Sequence, residues 1–158
     1  QLQYNCMYYF SDTVFIKGHE NPLSNFFPCA ITWDSNQFNS AEHAYQFSKA
    51  MYHNKKELAE EMKKADTANK VKMLSKNINP SESWINKRCK VMKDILVEKF
   101  KQVEKFRSAL LATGNKPLAH DVVNFFWGTG KNFKGQNMFG KLLMEVRDQA
   151  TAQMCKDS

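Results

Sequence analysis

The apolar residues change their spacing near residue 41, and this change restricts the chain to folds that combine strands with helices. Before that point, short apolar and aromatic runs alternate with turn signals, as is typical of strands, at residues 7–10, 14–16 and 29–33. Asp34-Ser35-Asn36 predicts a turn that returns the chain through Gln37-Phe38. From Ala41 onward the apolar residues recur every three or four positions, which predicts amphipathic helices. We therefore predict an α+β fold that is mostly helical and has a small antiparallel sheet.

The helical part divides at recognisable start and stop signals. The first helix fades at His53-Asn54, and two shorter helices follow before Asn79-Pro80 breaks the chain. Ser81 is placed to cap the longest helix, and Gly114 is placed to end the helical turns that follow it. The remaining elements are a strand and a final helix, predicted at residues 118–123 and 139–149. Because the 158 residues contain no repeat or linker, we expect one domain.

The positive charge of the chain is concentrated in its middle third. The chain carries a formal net charge of +7, and residues 49–107 hold 16 Lys and Arg against 8 Asp and Glu. One interpretation is a set of solvated, lysine-rich helix faces. The alternative is a surface that attracts phosphate groups of a nucleic acid or a nucleotide-like ligand, which would make binding depend on salt.

Hydropathy and cysteine spacing indicate whether the protein enters a membrane and whether its thiols are oxidised. No run approaches the roughly 18 apolar residues that span a bilayer, so we expect a soluble protein without a membrane partner. A core of this size does not require disulfides, and the cysteines are too far apart for a CxxC zinc site. We therefore expect reduced thiols in a cytoplasmic or nuclear monomer. The four cysteines are Cys6, Cys29, Cys89 and Cys155.

One face of the first predicted helix carries polar, titratable side chains. Glu42, Tyr45, Gln46 and Lys49 stand at positions i, i+3, i+4 and i+7, which places them on one side of a helix. Glu42 and Lys49 are then about 10 Å apart along the axis, and both side chains are long enough to reach one ligand. The competing interpretation is a capping box, with Asn39 as N-cap and Glu42 closing the helix terminus.

A second candidate segment is the aromatic and glycine-rich stretch Trp127-Gly128-Thr129-Gly130. Its backbone N–H groups could meet phosphate while the indole stacks on a ring, but the same pattern fits a glycine turn with Trp127 in the core. Trp84 has the same two interpretations, as a core aromatic or as part of a ligand pocket. No serine lies in a nucleophile context and the histidines lack metal-ligand spacing, so we predict neither a catalytic triad nor a metal site.

Short motifs follow one another in a fixed order over about residues 10–148. In the first half they are Gly18, Leu23-Ser24-Asn25-Phe26 with Pro28, and Ser40 to Gln46 with Lys49-Ala50. In the second half they are Trp84 with Arg88 and Met92, Lys99-Phe100, Leu111 with Thr113-Gly114, Trp127 to Gly130, Gly135 with Asn137, Gly140 with Leu142 to Met144, and Arg147. This ordered set resembles the NADAR family, which includes the YbiA-like N-glycosidases.

The resemblance implies a compact, mainly helical α+β fold and hydrolysis of an N-glycosidic bond on ribose, without a cofactor. Family members act on phosphoribosylamino pyrimidine intermediates of riboflavin synthesis, or on ADP-ribose attached to guanine in nucleic acid. By motif position, Glu42 and Lys49 would be catalytic: Glu42 handles a proton or activates water, and Lys49 attacks the sugar and forms a Schiff base. The resemblance also implies substrate contacts by Asn25, Phe26, Tyr45, Gln46, Trp84, Asn124, Trp127, Gly128 and Gly130.

One departure from the family pattern favours the ADP-ribosyl branch. Bacterial members carry an acidic residue three places before the Trp-Gly pair, where this chain has Asn124. An amide can orient hydroxyls but cannot take a proton, which shifts the catalytic load to Glu42 and Lys49, with Asp121 as a possible helper. We therefore predict a guanine ADP-ribosyl hydrolase that acts on modified nucleic acid and releases ADP-ribose. The alternatives are the riboflavin-intermediate reaction and a module that binds ADP-ribose or nucleic acid without turnover.

Overall fold

The computed structural model describes residues 12–158, so the predicted strand at residues 7–10 and Cys6 lie outside the described residues. The strands are β1 (Val14–Ile16), β2 (Ile31–Trp33), β3 (Asn36–Phe38) and β4 (Leu118–His120). The helices are α1 (Ala41–Tyr52), α2 (Lys56–Lys64), α3 (Ala68–Leu74), α4 (Glu82–Gln102), α5 (Glu104–Ala112) and α6 (Met138–Asp157). Short 3₁₀ turns cover Ser75–Asn77 and Lys131–Phe133. The predicted α+β, mainly helical fold is confirmed.

The strands form two separate pairs. β2 and β3 are antiparallel, with Ile31 opposite Phe38, and the turn between them places Asp34 and Ser35 at φ of 50° and 62°. Two consecutive residues with positive φ are typical of the turns that match the twist of a tight hairpin. The predicted antiparallel hairpin is therefore confirmed. β1 pairs in parallel with β4, which the sequence did not predict because the two strands are far apart in the chain.

Three helices surround the main core. α1 contacts α2, α3 and α4, while α4 also contacts α5, α6 and β2. Residues 41–47 of α1 are all buried, so this helix passes through the interior and its polar side chains must find partners there. The apolar stripe of α4 and the inner face of α6 supply much of the core, through Met92, Ile95, Leu96, Leu142, Leu143 and Val146.

Helix ends follow the predicted signals in most places. Ser81 caps α4 by accepting a hydrogen bond from the Trp84 N–H at 3.2 Å. Gly114 follows α5 with φ of 62°, a conformation that glycine adopts at low cost. α6 runs to Asp157, beyond the predicted end at residue 149, because the helix continues as an exposed segment after the apolar pattern stops.

No helix within residues 12–158 has the length and apolar character needed to cross a membrane. In the same part of the chain Cys29, Cys89 and Cys155 are free thiols.

Candidate active site

A cavity of about 530 Å³ lies beside α1, between the loop that follows β1 and the segment that follows β4. It collects residues from distant parts of the sequence. Among the residues predicted to form the site, the cavity is lined by Asn25, Phe26, Glu42, Tyr45, Gln46, Lys49, Trp84, Asn124 and Trp127. Two further depressions, of about 520 and 730 Å³, contain neither Glu42 nor Lys49. The cavity beside α1 is therefore the candidate active site.

Glu42 is held by two side-chain amides. Its Oε1 accepts a hydrogen bond from Asn25 Nδ2, and its Oε2 accepts one from Gln46 Nε2, both at 3.0 Å. The Glu42 backbone N–H also donates to the Asn25 carbonyl at 3.0 Å, which ties the loop to the start of α1. The carboxylate is thus a buried acceptor with a fixed orientation, exposed by only 6%.

The capping-box interpretation of Glu42 is wrong. Ser40, not Asn39, is the N-cap of α1, and its Oγ accepts a hydrogen bond from the His43 N–H at 3.1 Å. Ser40 has the extended backbone of a cap residue, with φ of −166°. Glu42 therefore stands one position too early to reach back as the third residue of a capping box. Its side chain turns to Asn25 and Gln46 instead.

The two amides that hold Glu42 each leave an oxygen without a partner. Asn25 Oδ1 and Gln46 Oε1 are buried, and no residue within 12–158 donates a hydrogen bond to either of them. Buried polar atoms in native proteins are normally paired, so such atoms need an explanation. Because both side chains line the cavity, these oxygens are available to hydroxyl or amino donors of a ligand.

Lys49 lies two turns along α1 from Glu42, and it lines the same cavity. Burial lowers its pKa from the ordinary value; the negative charge of Glu42 opposes this shift, and the positive charge of Arg88 adds to it. A larger fraction of Lys49 is therefore neutral near pH 7 than for a solvated lysine. A neutral amine is the form that can attack carbon.

Aromatic rings form one wall of the cavity. The ring centroids of Tyr45 and Trp84 are 5.7 Å apart, and Trp127 stands edge-on to Tyr45 at the same distance. Burial raises the pKa of Tyr45, so its hydroxyl stays protonated and can donate a hydrogen bond. Trp84 is a core aromatic, only 2% exposed, and one part of it lines the cavity.

Asn124 shapes the loop that carries Trp127. Its side-chain oxygen accepts hydrogen bonds from the N–H groups of Phe126 at 3.0 Å and Trp127 at 2.7 Å. Both acceptor positions of the Asn124 side-chain oxygen are then used, and its amide nitrogen remains as a hydrogen-bond donor.

Gly128 and Gly130 do not line the cavity. The expectation that this loop offers free N–H groups to phosphate is wrong, because the N–H groups of residues 128, 129 and 130 donate to the carbonyls of Asn124, His120 and Val122. A Cβ at residue 128 would collide with Val122, and Gly130 has φ of 70°. The glycines therefore allow the loop to fold back tightly.

Lys99 lies outside the cavity, on the buried face of α4, and supports a loop that lines the cavity. Its side chain is fully buried, and its Nζ donates to the carbonyls of Pro22 at 3.1 Å and Ser24 at 3.0 Å. Burial lowers its pKa to about 8. Lys99 thus anchors the loop that carries Asn25, the partner of Glu42. In the sequence, Lys99 follows Ile95 and Leu96 at helical spacing, and this position among apolar residues is the signal for its burial.

The lining also includes Arg88, His120 and Asp121. Burial lowers the pKa of His120 to about 4, so its imidazole is neutral near pH 7. Asp121 forms a 4.0 Å ion pair with Lys17, and both side chains are well exposed, so this pair contributes little to stability. Within residues 12–158, no group of three His, Cys, Asp or Glu side chains is arranged to hold a metal ion.

The chain that forms this cavity is similar in sequence to proteins of named function. The chain is 34% identical over 130 residues to N-glycosidase YbiA of Shigella flexneri, which covers 80% of this chain and 79% of that protein. It is 35% identical over 130 residues to a riboflavin biosynthesis protein of Vibrio vulnificus, but spans only 35% of that relative's length.

The solved structure of Escherichia coli YbiA has a similar fold. It superposes with a TM-score of 0.77 at 26% identity, covering 90% of this chain and 87% of that one. The family model of the NADAR domain matches residues 9–151, which include every residue of the cavity. The chain therefore belongs to the NADAR domain family.

Proposed function

We propose that this protein is an N-glycosidase that hydrolyses the bond between ADP-ribose and guanine in nucleic acid. The observation that carries the proposal is the pairing of Glu42, fixed by two amides, with Lys49, whose pKa is lowered, in one aromatic-walled cavity. Relatives over most of the chain are named N-glycosidases, which supports this class of reaction.

The residues of the cavity match the needs of N-glycoside cleavage. The neutral amine of Lys49 attacks C1′ of the ribose, and the electron pair of the C1′–N bond moves to the guanine nitrogen. The Lys49 nitrogen loses a proton as it bonds to C1′, and the leaving guanine nitrogen gains a proton. Glu42 transfers the proton between the two nitrogens. The C1′–O4′ bond then breaks, a proton passes from the Lys49 nitrogen to O4′, and the resulting Schiff base is hydrolysed by water to release ADP-ribose and restore the amine. The fixed Glu42 carboxylate also stabilises positive charge that develops at C1′.

Charge supports an anionic, nucleic-acid substrate. Besides Lys49, the cavity is lined by the basic side chains of Lys17, Lys72 and Arg88. Its acidic lining residues are Glu42 and Asp121. Beyond the cavity, the excess of basic residues over positions 49–107 offers positive surface to the flanking phosphates of a strand.

A second candidate substrate is a phosphoribosylamino pyrimidine. The similarity to a riboflavin biosynthesis protein over 130 residues favours it. Both substrates present a phosphorylated ribose whose C1′ is bonded to nitrogen, so Glu42 and Lys49 would perform the same steps on each. The difference lies beyond the ribose, in the base and in the second phosphate.

The substitution Glu42→Gln separates an enzyme from a binding module. Glutamine has nearly the same shape and can keep hydrogen bonds to Asn25 and Gln46 if one amide turns over. We expect ADP-ribose affinity close to that of the wild type and turnover lower by about 10²- to 10⁴-fold. Glu57→Gln, on the exposed face of α2, is the matched control and should leave both unchanged. Unchanged turnover in Glu42→Gln would contradict the assigned role.

Borohydride trapping tests the covalent role of Lys49. Reduction during turnover should link the ribose to Lys49, because hydride reduces a Schiff base to a stable amine. Peptide mass spectrometry locates the adduct. Lys49→Arg keeps the charge but cannot form the Schiff base, so it should give no adduct. Active wild-type enzyme without any adduct on Lys49 would point to direct attack by water.

A further inference from the structure

Arg88 is a cation that lines the cavity. It lies in the second turn of α4, one helical turn after Trp84, and is partly buried. Its Nε is buried, and no residue within 12–158 accepts a hydrogen bond from it. The two other arginines of the chain are bound by protein atoms: Arg107 donates to the carbonyl of Phe100, and Arg147 donates to the carbonyl of Lys116. Arg88 therefore differs from both.

Aromatic rings hold the guanidinium of Arg88 in place. Its central carbon lies 3.6 Å from the centroid of the Phe126 ring and 5.9 Å from that of Trp127. Such stacking uses the face of the guanidinium and leaves its N–H groups, which point outward in its plane, free to bind. A buried N–H group without an acceptor is unfavourable, so a ligand that brings an acceptor to Nε would satisfy it.

The position of Arg88 limits which part of a substrate it can meet. Trp84, Arg88 and Met92 are spaced by four residues on one face of α4, and all three line the cavity. The positive charge of Arg88 also acts on Lys49 and Tyr45, so the guanidinium lies near the proposed reacting centre. We therefore expect the acceptor to belong to the ribose that reacts or to a group directly attached to it.

We propose that Arg88 binds the phosphoryl group on the 5′ carbon of the ribose whose C1′ is attacked. This inference rests on the proposed function, because it takes the reacting group to be a phosphorylated N-riboside. The planar fork of N–H groups matches two oxygens of a phosphoryl group, as no single lysine ammonium does. Both candidate substrates carry this phosphoryl group, so Arg88 recognises what they share, and the base is recognised elsewhere in the cavity.

The test is a calorimetric titration with ADP-ribose, ribose 5-phosphate and ribose. We expect Arg88→Gln to weaken binding of both phosphorylated ligands by about 10- to 100-fold, the loss that follows from removing charged hydrogen bonds. The affinity of Arg88→Lys for both phosphorylated ligands should lie between those of Arg88→Gln and the wild type. Ribose should bind equally weakly to all variants. Lys87→Gln, the same change of charge at the exposed neighbour, is the control and should bind like the wild type.

Unchanged affinity of Arg88→Gln for ADP-ribose would overturn the proposal. If the variants do not fold, the wild type decides by NMR: the Arg88 Nε–H resonance should shift on addition of ADP-ribose but not of ribose. No shift would also overturn it. These binding measurements do not depend on turnover. Weakened binding by Arg88→Gln together with an inactive wild type would refute the proposed function alone, whereas an active enzyme with unchanged binding would refute the role of Arg88 alone.

Discussion

His120 is a neutral imidazole in the wall of the cavity. Burial lowers its pKa in the folded protein to about 4, while an unfolded histidine has a pKa near 6.5. Between these values the unfolded chain binds more protons, so the free energy of unfolding falls as the pH drops from about 6.5 to about 4. The full loss is about 3 kcal/mol and is reached below pH 4.

We predict that His120→Gln removes this acid sensitivity. Urea denaturation at pH 7, 5.5 and 4.5 measures the free energy of unfolding of both proteins, and the difference between them isolates His120 from the carboxylates that titrate in the same range. His19→Gln, at an exposed histidine, is the control and should keep the wild-type dependence. Parallel curves for the wild type and His120→Gln would contradict the low pKa.

The residues of α1 in the site could be predicted, but their partners could not. Helical spacing placed Glu42, Tyr45, Gln46 and Lys49 on one face, and all four line the cavity. The hydrogen bond from Asn25 to Glu42 joins residues 17 positions apart across a loop, and no periodic pattern specifies such a contact. Only the ordered family motifs placed Asn25 in the site. The role of Asn124 in shaping its loop was equally hidden, because it depends on the path of the backbone.

The N-cap of α1 sets the position of Glu42 in the first turn of this helix. Ser40 Oγ accepts from the His43 N–H, and it also lies 2.7 Å from His43 Nδ1. We predict that Ser40→Ala lowers the free energy of unfolding by about 1 kcal/mol, as the loss of an N-cap does. Urea denaturation at pH 7 measures the change.

Asn39→Ala is the matched control, one residue earlier in the chain. Asn39 is exposed and does not cap α1, so its substitution should change the free energy of unfolding by less than about 0.5 kcal/mol. A larger loss in Asn39→Ala than in Ser40→Ala would show that Asn39 caps the helix in solution.

Elements with local signals were predicted more accurately than those that depend on distant pairing. Ser81, Gly114 and the Asp34-Ser35 turn act within a few residues, and each lies where the sequence placed it. β4 ends at His120, although the apolar run predicted a strand to residue 123, because β1 offers pairing partners only as far as Ile16. The length of that strand is set by its neighbour.

At the scale of the whole molecule, the basic middle segment predicts salt-dependent binding of nucleic acid. An ADP-ribosylated oligonucleotide should lose affinity with rising salt more steeply than free ADP-ribose does, because more counterions are released from the strand. Fluorescence anisotropy between about 50 and 300 mM salt measures how the affinity for each of the two ligands changes with salt concentration, which gives one slope per ligand. Equal slopes would show that the flanking phosphates do not contact the protein.

Paired lysine variants locate this effect. Lys76 lies within the basic segment of residues 49–107, and Lys131 lies outside it. Both side chains are exposed, so Lys76→Gln and Lys131→Gln are a matched pair. We expect only Lys76→Gln to reduce the slope of the logarithm of affinity against the logarithm of salt concentration. The reduction should be up to about 0.7 for one phosphate contact with a single strand. The net charge of +7 alone would not distinguish the two positions.

Product release tests directly whether this protein removes ADP-ribose from guanine. Wild-type protein is incubated with an oligonucleotide that carries one ADP-ribosylated guanine, and the products are followed by mass spectrometry. We expect free ADP-ribose and unmodified oligonucleotide in equal amounts, and we expect Lys49→Arg to be inactive. An intact modified oligonucleotide, under conditions where the protein binds ADP-ribose or cleaves a phosphoribosylamino pyrimidine, would contradict this expectation.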